Sequence, residues 1–111
     1  MPGIEYSPVA LEKLGAVSRY IAVEQQNPNG AAATVKSIRD KIRLLKTAPE
    51  IGAPLSSICA FAPERFKDAR VLLCGKYLAV YQYCKEENMV RVLRIYHSAE
   101  DYVRHLFEAR L

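Results

Sequence analysis

Only two histidines and three cysteines occur in this chain of 111 residues. Cys59, Cys74 and Cys84 make an odd count with no CxxC spacing, which argues against a disulfide framework or a zinc site. Cys74 and Cys84 fall in strand-like segments, where a thiol serves as a small hydrophobe. No apolar run approaches the length needed to span a bilayer. The opening Met-Pro-Gly-Ile-Glu-Tyr lacks the basic and apolar regions of a signal peptide, so cytoplasmic residence is expected. There is no internal repeat and no low-complexity tract.

Half of the residues are hydrophobic, enough for a packed fold rather than a disordered chain. The length suits a single domain, residues 1–111, around one modest core. The formal net charge is +4 and the pI about 9.1. Mild basicity favours an acidic partner, either nucleic acid or an acidic protein segment, without choosing between them.

Gly3 to Tyr6 reads as a short strand. Ser7-Pro8 is a strong helix start, with Ser as N-cap and Pro at the first helical position. Ala10, Leu14, Val17 and Ile21 form one face of a helix running to about Gln26. Asn27-Pro28-Asn29-Gly30 reads as a turn. A second helix is predicted over about Ala31 to Thr47, with Ala31, Val35, Ile38, Ile42 and Leu45 as its apolar stripe. The short linker folds the two into an antiparallel hairpin. Pro49 to Pro54 ends that helix, and Leu55 to Glu64 is a loop with Leu55, Ile58 and Phe61 turned inward.

Three strands follow: Phe66–Cys74, Tyr77–Cys84 and Met89–His97. Gly75-Lys76 and Lys85 to Asn88 are links so short that only hairpins fit. Strand one joins an edge of this meander, since alone it leaves its backbone groups unpaired. The expected fold is α+β: an N-terminal strand, a helical hairpin on one face of an antiparallel sheet, and a short C-terminal helix, the other face partly open. Tyr77, Tyr81 and Tyr83 share a strand face and are expected to pack on the hairpin.

The last strand stops at a histidine and turns at once into an amphipathic helix. Strict alternation puts Val90, Val92, Arg94 and Tyr96 on one side, and Arg91, Leu93, Ile95 and His97 on the other. Ser98 is a candidate N-cap with Asp101 three residues on, and Val103, Leu106 and Phe107 recur at helical spacing.

Several motifs spread along the chain carry a family likeness. Ser7-Pro8-x-Ala10-x-x-x-Leu14, Tyr20-Ile21, the series Ile38…Ile42…Leu45…Pro49…Gly52…Leu55, and Arg70 followed by Tyr77-x-x-x-Tyr81 occur in order. Leu93-Arg94-Ile95-Tyr96-His97-x-x-x-Asp101 closes the set. Jointly they resemble the RelE/ParE toxins of bacterial type II toxin–antitoxin, or plasmid stabilisation, modules. The resemblance implies a cognate antitoxin as partner and no cofactor. It leaves two branches. RelE-like members cleave messenger RNA on the ribosome; ParE-like members share the fold and poison DNA gyrase.

The RelE branch has closely spaced lysines on the first meander strand, a basic residue after the central tyrosine and an arginine beyond the last strand. This chain has Val71-Leu72-Leu73, Leu78 and Ser98-Ala99-Glu100 there. The resemblance therefore favours the ParE-like branch. Metal-free RNA cleavage needs a base, an acid and cations near the phosphate. Arg70, Arg94, Tyr96 and His97 are the residues available for it. The competing role for His97 is to brace the strand-to-helix turn with Ser98 and Asp101, bonded to Asp101 or to backbone. Arg70 and Arg94, on separate strands, are candidates to face each other across the sheet. Lys36, Arg39, Arg43 and Lys46 recur at spacings of three, four and three, a basic row beside the apolar stripe. It is either a solvated face or the contact for nucleic acid or an acidic antitoxin segment. A third reading is a module that binds an antitoxin but has lost toxicity.

Overall fold

The computed structural model describes residues 1–59 and 62–108. Phe61, expected to turn inward, lies outside them. Strand β1 spans Gly3–Tyr6 and helix α1 Pro8–Arg19. Ser7 caps α1 as expected: its hydroxyl accepts from Ala10 N–H at 3.0 Å. The chain continues as a π-helical turn, Tyr20–Glu24, so only the first part of the expected helix to Gln26 is α-helical. Helix α2 spans Pro28–Arg43, with a 3-10 turn at Leu44–Lys46. It starts three residues before the expected Ala31. Asn27 accepts from Gly30 N–H at 2.9 Å, and Pro28 suits the first helical position, so the breaker cluster is a helix start.

Strands β3 (Arg70–Cys74), β4 (Tyr77–Cys84) and β5 (Met89–His97) form the meander. Phe66 lies in a 3-10 turn before β3 rather than within a strand. Gly75 takes a φ of +66° in the β3–β4 turn, the region a side chain resists. The sheet has one strand more than expected. Ala53–Pro54 forms a two-residue β2 against Val71 and Arg70 of β3. The order is β1-β5-β4-β3-β2, and β1 pairs with β5 in parallel, so the sheet is mixed rather than purely antiparallel. Helix α3 spans Tyr102–Glu108. Asp101 caps it, accepting from Arg104 N–H at 3.3 Å. Ser98, the candidate N-cap, lies four residues before the helix and instead donates its N–H to the Lys76 carbonyl of the β3–β4 turn.

Hydrophobic residues cover both faces of the sheet. On one, Ala10, Leu14, Ile38, Ile42 and Leu45 bury Leu72, Ala79, Tyr81, Val90, Val92 and Ile95. On the other, Leu55, Phe66 and Leu106 cover Val71, Leu78, Val80 and Tyr96. The second face is thus less open than expected, although Leu73 remains 63% exposed. Ile58, expected inward, is exposed.

The strict alternation expected of β5 breaks at one residue. Val80 stands opposite Arg94 but Tyr81 opposite Val92, so Leu93 is an extra residue, a β-bulge. The bulge reverses the side-chain phase. Val90, Val92 and Ile95 all reach the helix-side core, while Tyr96 reaches the other. The carbonyl of Leu93 accepts from Ser7 Oγ at 2.7 Å and from the Arg94 guanidinium at 2.8 Å.

Among the described residues, no helix is long and apolar enough to cross a membrane, and no group of three or more His, Cys, Asp or Glu is placed to hold a metal ion.

Candidate functional site

Arg70, Arg94, Tyr96 and His97 do not converge. Arg70 is paired with Tyr81 and therefore shares the helix-side face; Arg94 is paired with Val80 and projects on the other. The sheet separates the two arginines that were candidates to face each other. Arg70 donates to the carbonyls of Gly52 (2.8 Å) and Glu50 (3.1 Å) and lies 3.6 Å from the Glu50 carboxylate. It fastens the segment before β2. His97 is on the same face as Arg70 but pairs with Tyr77, four residues along β4 from Tyr81. At ~3.3 Å per residue that is roughly 13 Å of strand.

His97 engages the turn that follows it. Its Nδ1 accepts from Ala99 N–H at 3.0 Å, and its ring meets Tyr77 edge-on at 5.0 Å. Of the two bonding partners expected for a brace, the backbone is the one observed, not Asp101. The His97 N–H donates to Glu100 Oε1 at 2.8 Å, and that oxygen also accepts from Lys13 Nζ at 2.9 Å. Glu100 Oε2 lies 3.7 Å from His105 Nε2, an ion pair whenever that imidazole carries its proton. Partial burial pushes the Glu100 carboxyl up, but the Lys13 and His97 bonds outweigh it and the net shift is down.

The opposite face brings two of those candidates, Arg94 and Tyr96, together with Lys13 and His105, which the sequence did not single out. Lys13, Arg94, Tyr96 and His105 line one shallow cleft of roughly 410 Å³ with Glu108 at its rim. The rings of His105 and Tyr96 stack 5.7 Å apart. Burial pushes the Tyr96 phenol up, and Arg94 beside it acts in the opposite direction. Each basic side chain here already has a protein partner: Glu100 beside Lys13 and His105, the Leu93 carbonyl and the Phe66 ring for Arg94. Lys13 and His105 come together only because α1 and α3 both pack beside β5. No spacing in the sequence carries that signal.

Lys36, Arg39, Arg43 and Lys46 form two linked patches. Lys36, Arg39 and Arg43 rim a groove of about 640 Å³ between α1 and α2, whose walls include Leu11, Leu14 and Val35. Arg39, Arg43 and Lys46 meet Ile4 and Tyr6 in a smaller pocket of about 150 Å³ at the sheet edge. Asp40 interrupts the row, bonding Lys36 at 2.6 Å and Arg43 at 2.8 Å. The Lys36 bond leads in holding the Asp40 carboxyl below its usual range. Those spacings, i to i+4 and i to i+3, were legible as helix-surface pairs. Both are exposed and therefore weak, so a partner's carboxylate can displace Asp40 at little cost.

No curated protein matches this sequence. A solved chain described as the chromosomal ParDE TA system from P. aeruginosa superposes with a TM-score of 0.65 at 19% identity. The alignment covers 87% of this chain and 96% of that one. At that identity the likeness speaks for the fold alone. The family model described as ParE toxin of type II toxin-antitoxin system, parDE, matches residues 4–102. That match spans nearly all of β1 to β5 and the turn into α3, and by it the chain belongs to the ParE toxin family of type II toxin–antitoxin systems.

Proposed function

We propose that the protein stops growth by binding DNA gyrase in the cytoplasm, and that a cognate antitoxin silences it. The dispersal of Arg70, His97 and Arg94 carries this reading. Stabilising the charge of a phosphoryl transition state needs several fixed donors aimed at one point, and each lost donor costs on the order of 100-fold in rate. Here one arginine is fastened to the β2 segment, the histidine to its own turn and the other arginine to a bulge across the sheet. The antitoxin contact proposed is the row Lys36, Arg39, Arg43 and Lys46 beside the apolar α1–α2 groove, which suits an acidic amphipathic segment.

Ribosome-dependent messenger cleavage is the second reading, and the cleft of Lys13, Arg94, Tyr96 and His105 is the observation in its favour. Purified protein is expected to inhibit supercoiling by gyrase in vitro. Primer extension on messages from induced cells is expected to show no discrete A-site cuts. Such cuts, lost in Arg94→Ala with folding intact, would move the protein to the endonuclease branch. Rescue of growth by the product of the adjacent reading frame tests the antitoxin half separately.

A further inference from the structure

A further cavity, of about 620 Å³, lies at the end of the sheet where β4 begins and β5 stops. Its walls come from the π-helical turn after α1, from α2 and from the β3–β4 turn. The volume is that of a small-molecule site. It shares no residue with the α1–α2 groove, the sheet-edge pocket or the cleft beside α3. Single π-helical turns are rare and fall often at functional sites.

The cavity carries hydrogen-bond donors that the protein leaves unused. Tyr20, Thr34, Ser37, Lys76, Tyr77 and His97 line it. His97 Nδ1 accepts from Ala99 N–H, which puts the proton of the neutral ring on Nε2. Among the described residues, that Nε2, the Lys76 Nζ and the four hydroxyls have no protein partner. The basic side chains of the α3 cleft, by contrast, are already held. Burial raises the Tyr77 phenol pKa, with Glu100 and Tyr20 adding to the shift, so this hydroxyl stays a donor. No Asp or Glu stands among the described residues of the wall. The nearby Glu100 is engaged by Lys13 and by the His97 N–H. Such a lining favours an anion, which accepts from every donor present. Ile21 and Ile38 add buried apolar wall, and the Tyr20 ring stands exposed beside them. That part suits a flat apolar body.

We propose that this cavity binds a small organic anion, an oxyanion carried on a flat ring. Lys76 and the His97 Nε2–H take the oxyanion, the Tyr77 hydroxyl adds a third bond, and the Tyr20 ring covers the flat part. His97 then has two tasks: Nδ1 keeps bracing the turn at Ala99 while Nε2 meets the ligand. A phosphate ester and a carboxylate present the same chemistry to these donors. The inference is independent of the gyrase and antitoxin contacts.

Titrations followed by NMR test this and separate the two sources. The probes are adenosine monophosphate against adenosine, benzoate against benzamide, and inorganic phosphate alone. The anion of at least one pair is expected to bind about tenfold tighter than its neutral counterpart, with a Kd below about 1 mM. Preference in the first pair assigns a phosphate ester, and in the second a carboxylate. The His97 Nε2 resonance moves on binding, while exchange of the Ala99 amide does not quicken. Lys76→Gln is expected to abolish the preference and leave binding of the neutral probe unchanged. Tyr20→Ala weakens anion and neutral probe alike, with urea midpoints as the control for the fold of both variants. Lys85→Gln, beyond the opposite end of β4, is the control for charge alone. Equal losses in the two lysine variants overturn the proposal, since they report a general attraction of anions to a basic protein. So do equal binding of anion and neutral probe, inorganic phosphate bound as tightly as the ring anions, binding that leaves the His97 resonance in place, or no binding by any probe.

Discussion

Glu100 joins three elements through one carboxylate: α1 by Lys13, the end of β5 by the His97 N–H, and α3 by His105. Its folded-state pKa is depressed, so the stability it contributes is present above the unfolded value of about 4.3 and is lost as pH falls through the folded one. In Glu100→Ala the acid limb of the stability curve below pH ~4.5 should flatten relative to the parent. Urea midpoints across pH 3 to 7 read this directly, and parallel curves for the two proteins would remove Glu100 from the account. Tyr81 is a second single-residue lock. It is fully buried, and its hydroxyl accepts from Gly52 N–H at 2.9 Å. Burial raises its phenol pKa, with the Gly52 bond opposing, so the group stays neutral and bonded over the physiological range. Tyr81→Phe leaves the Gly52 N–H buried without its acceptor, at a cost of about 1–3 kcal/mol. Gly52→Ala should cost more, because an added Cβ lies 2.7 Å from the Tyr81 ring and 2.9 Å from the Val71 carbonyl. Chemical denaturation ranks the two variants.

Ser7 shows how one side chain sets two elements at once. Its hydroxyl accepts from Ala10 N–H to start α1 and donates to the Leu93 carbonyl freed by the bulge in β5. Ser7→Ala removes both, and a loss of about 1.5–3 kcal/mol is expected, with Ser7→Thr keeping most of the stability. An equal loss in both variants would mean that packing, not the hydroxyl, is what matters there. This coupling also explains what the sequence could and could not tell. β1, β4 and β5 were legible to the residue, because period-two patterns run between strong turn signals. The bulge was not, because Leu93 is apolar like its neighbours and the phase reversal leaves no mark in composition. Hence Val90 and Val92 were assigned away from Ile95, and Arg94 was a candidate to face Arg70, when the backbone does the opposite. β2 was missed because two residues around a proline carry no strand period. The basic row was visible; its division by Asp40 and its reach to Tyr6 depend on where α2 lies over β1.

At the scale of the molecule, the sheet separates two cores of unequal permanence. The helix-side core joins α1 and α2 to four of the five strands and is the larger. The other is closed by Leu55, by Phe66 from a 3-10 turn and by Leu106 from α3, a helix of seven residues. Short elements held by few apolar contacts open more readily than long ones. Leu106 is 1% exposed and is the buried residue of α3. Leu106→Ala should cost about 2–4 kcal/mol of the free energy that docks α3. If the two cores open independently, the loss appears as faster amide exchange in α3 and in residues 64–69, while β1, α1, α2 and the centre of β4 and β5 keep their protection. The proposed antitoxin contact, the α1–α2 groove with its basic row, lies on the protected side. Inhibition of gyrase supercoiling and binding of the antitoxin can therefore be compared in one variant. Retained antitoxin binding with lost gyrase inhibition would place the target contact on the α3 face, opposite the antitoxin. Loss of protection throughout the chain would instead show one cooperative unit, in which the sheet transmits the opening of either core to the other.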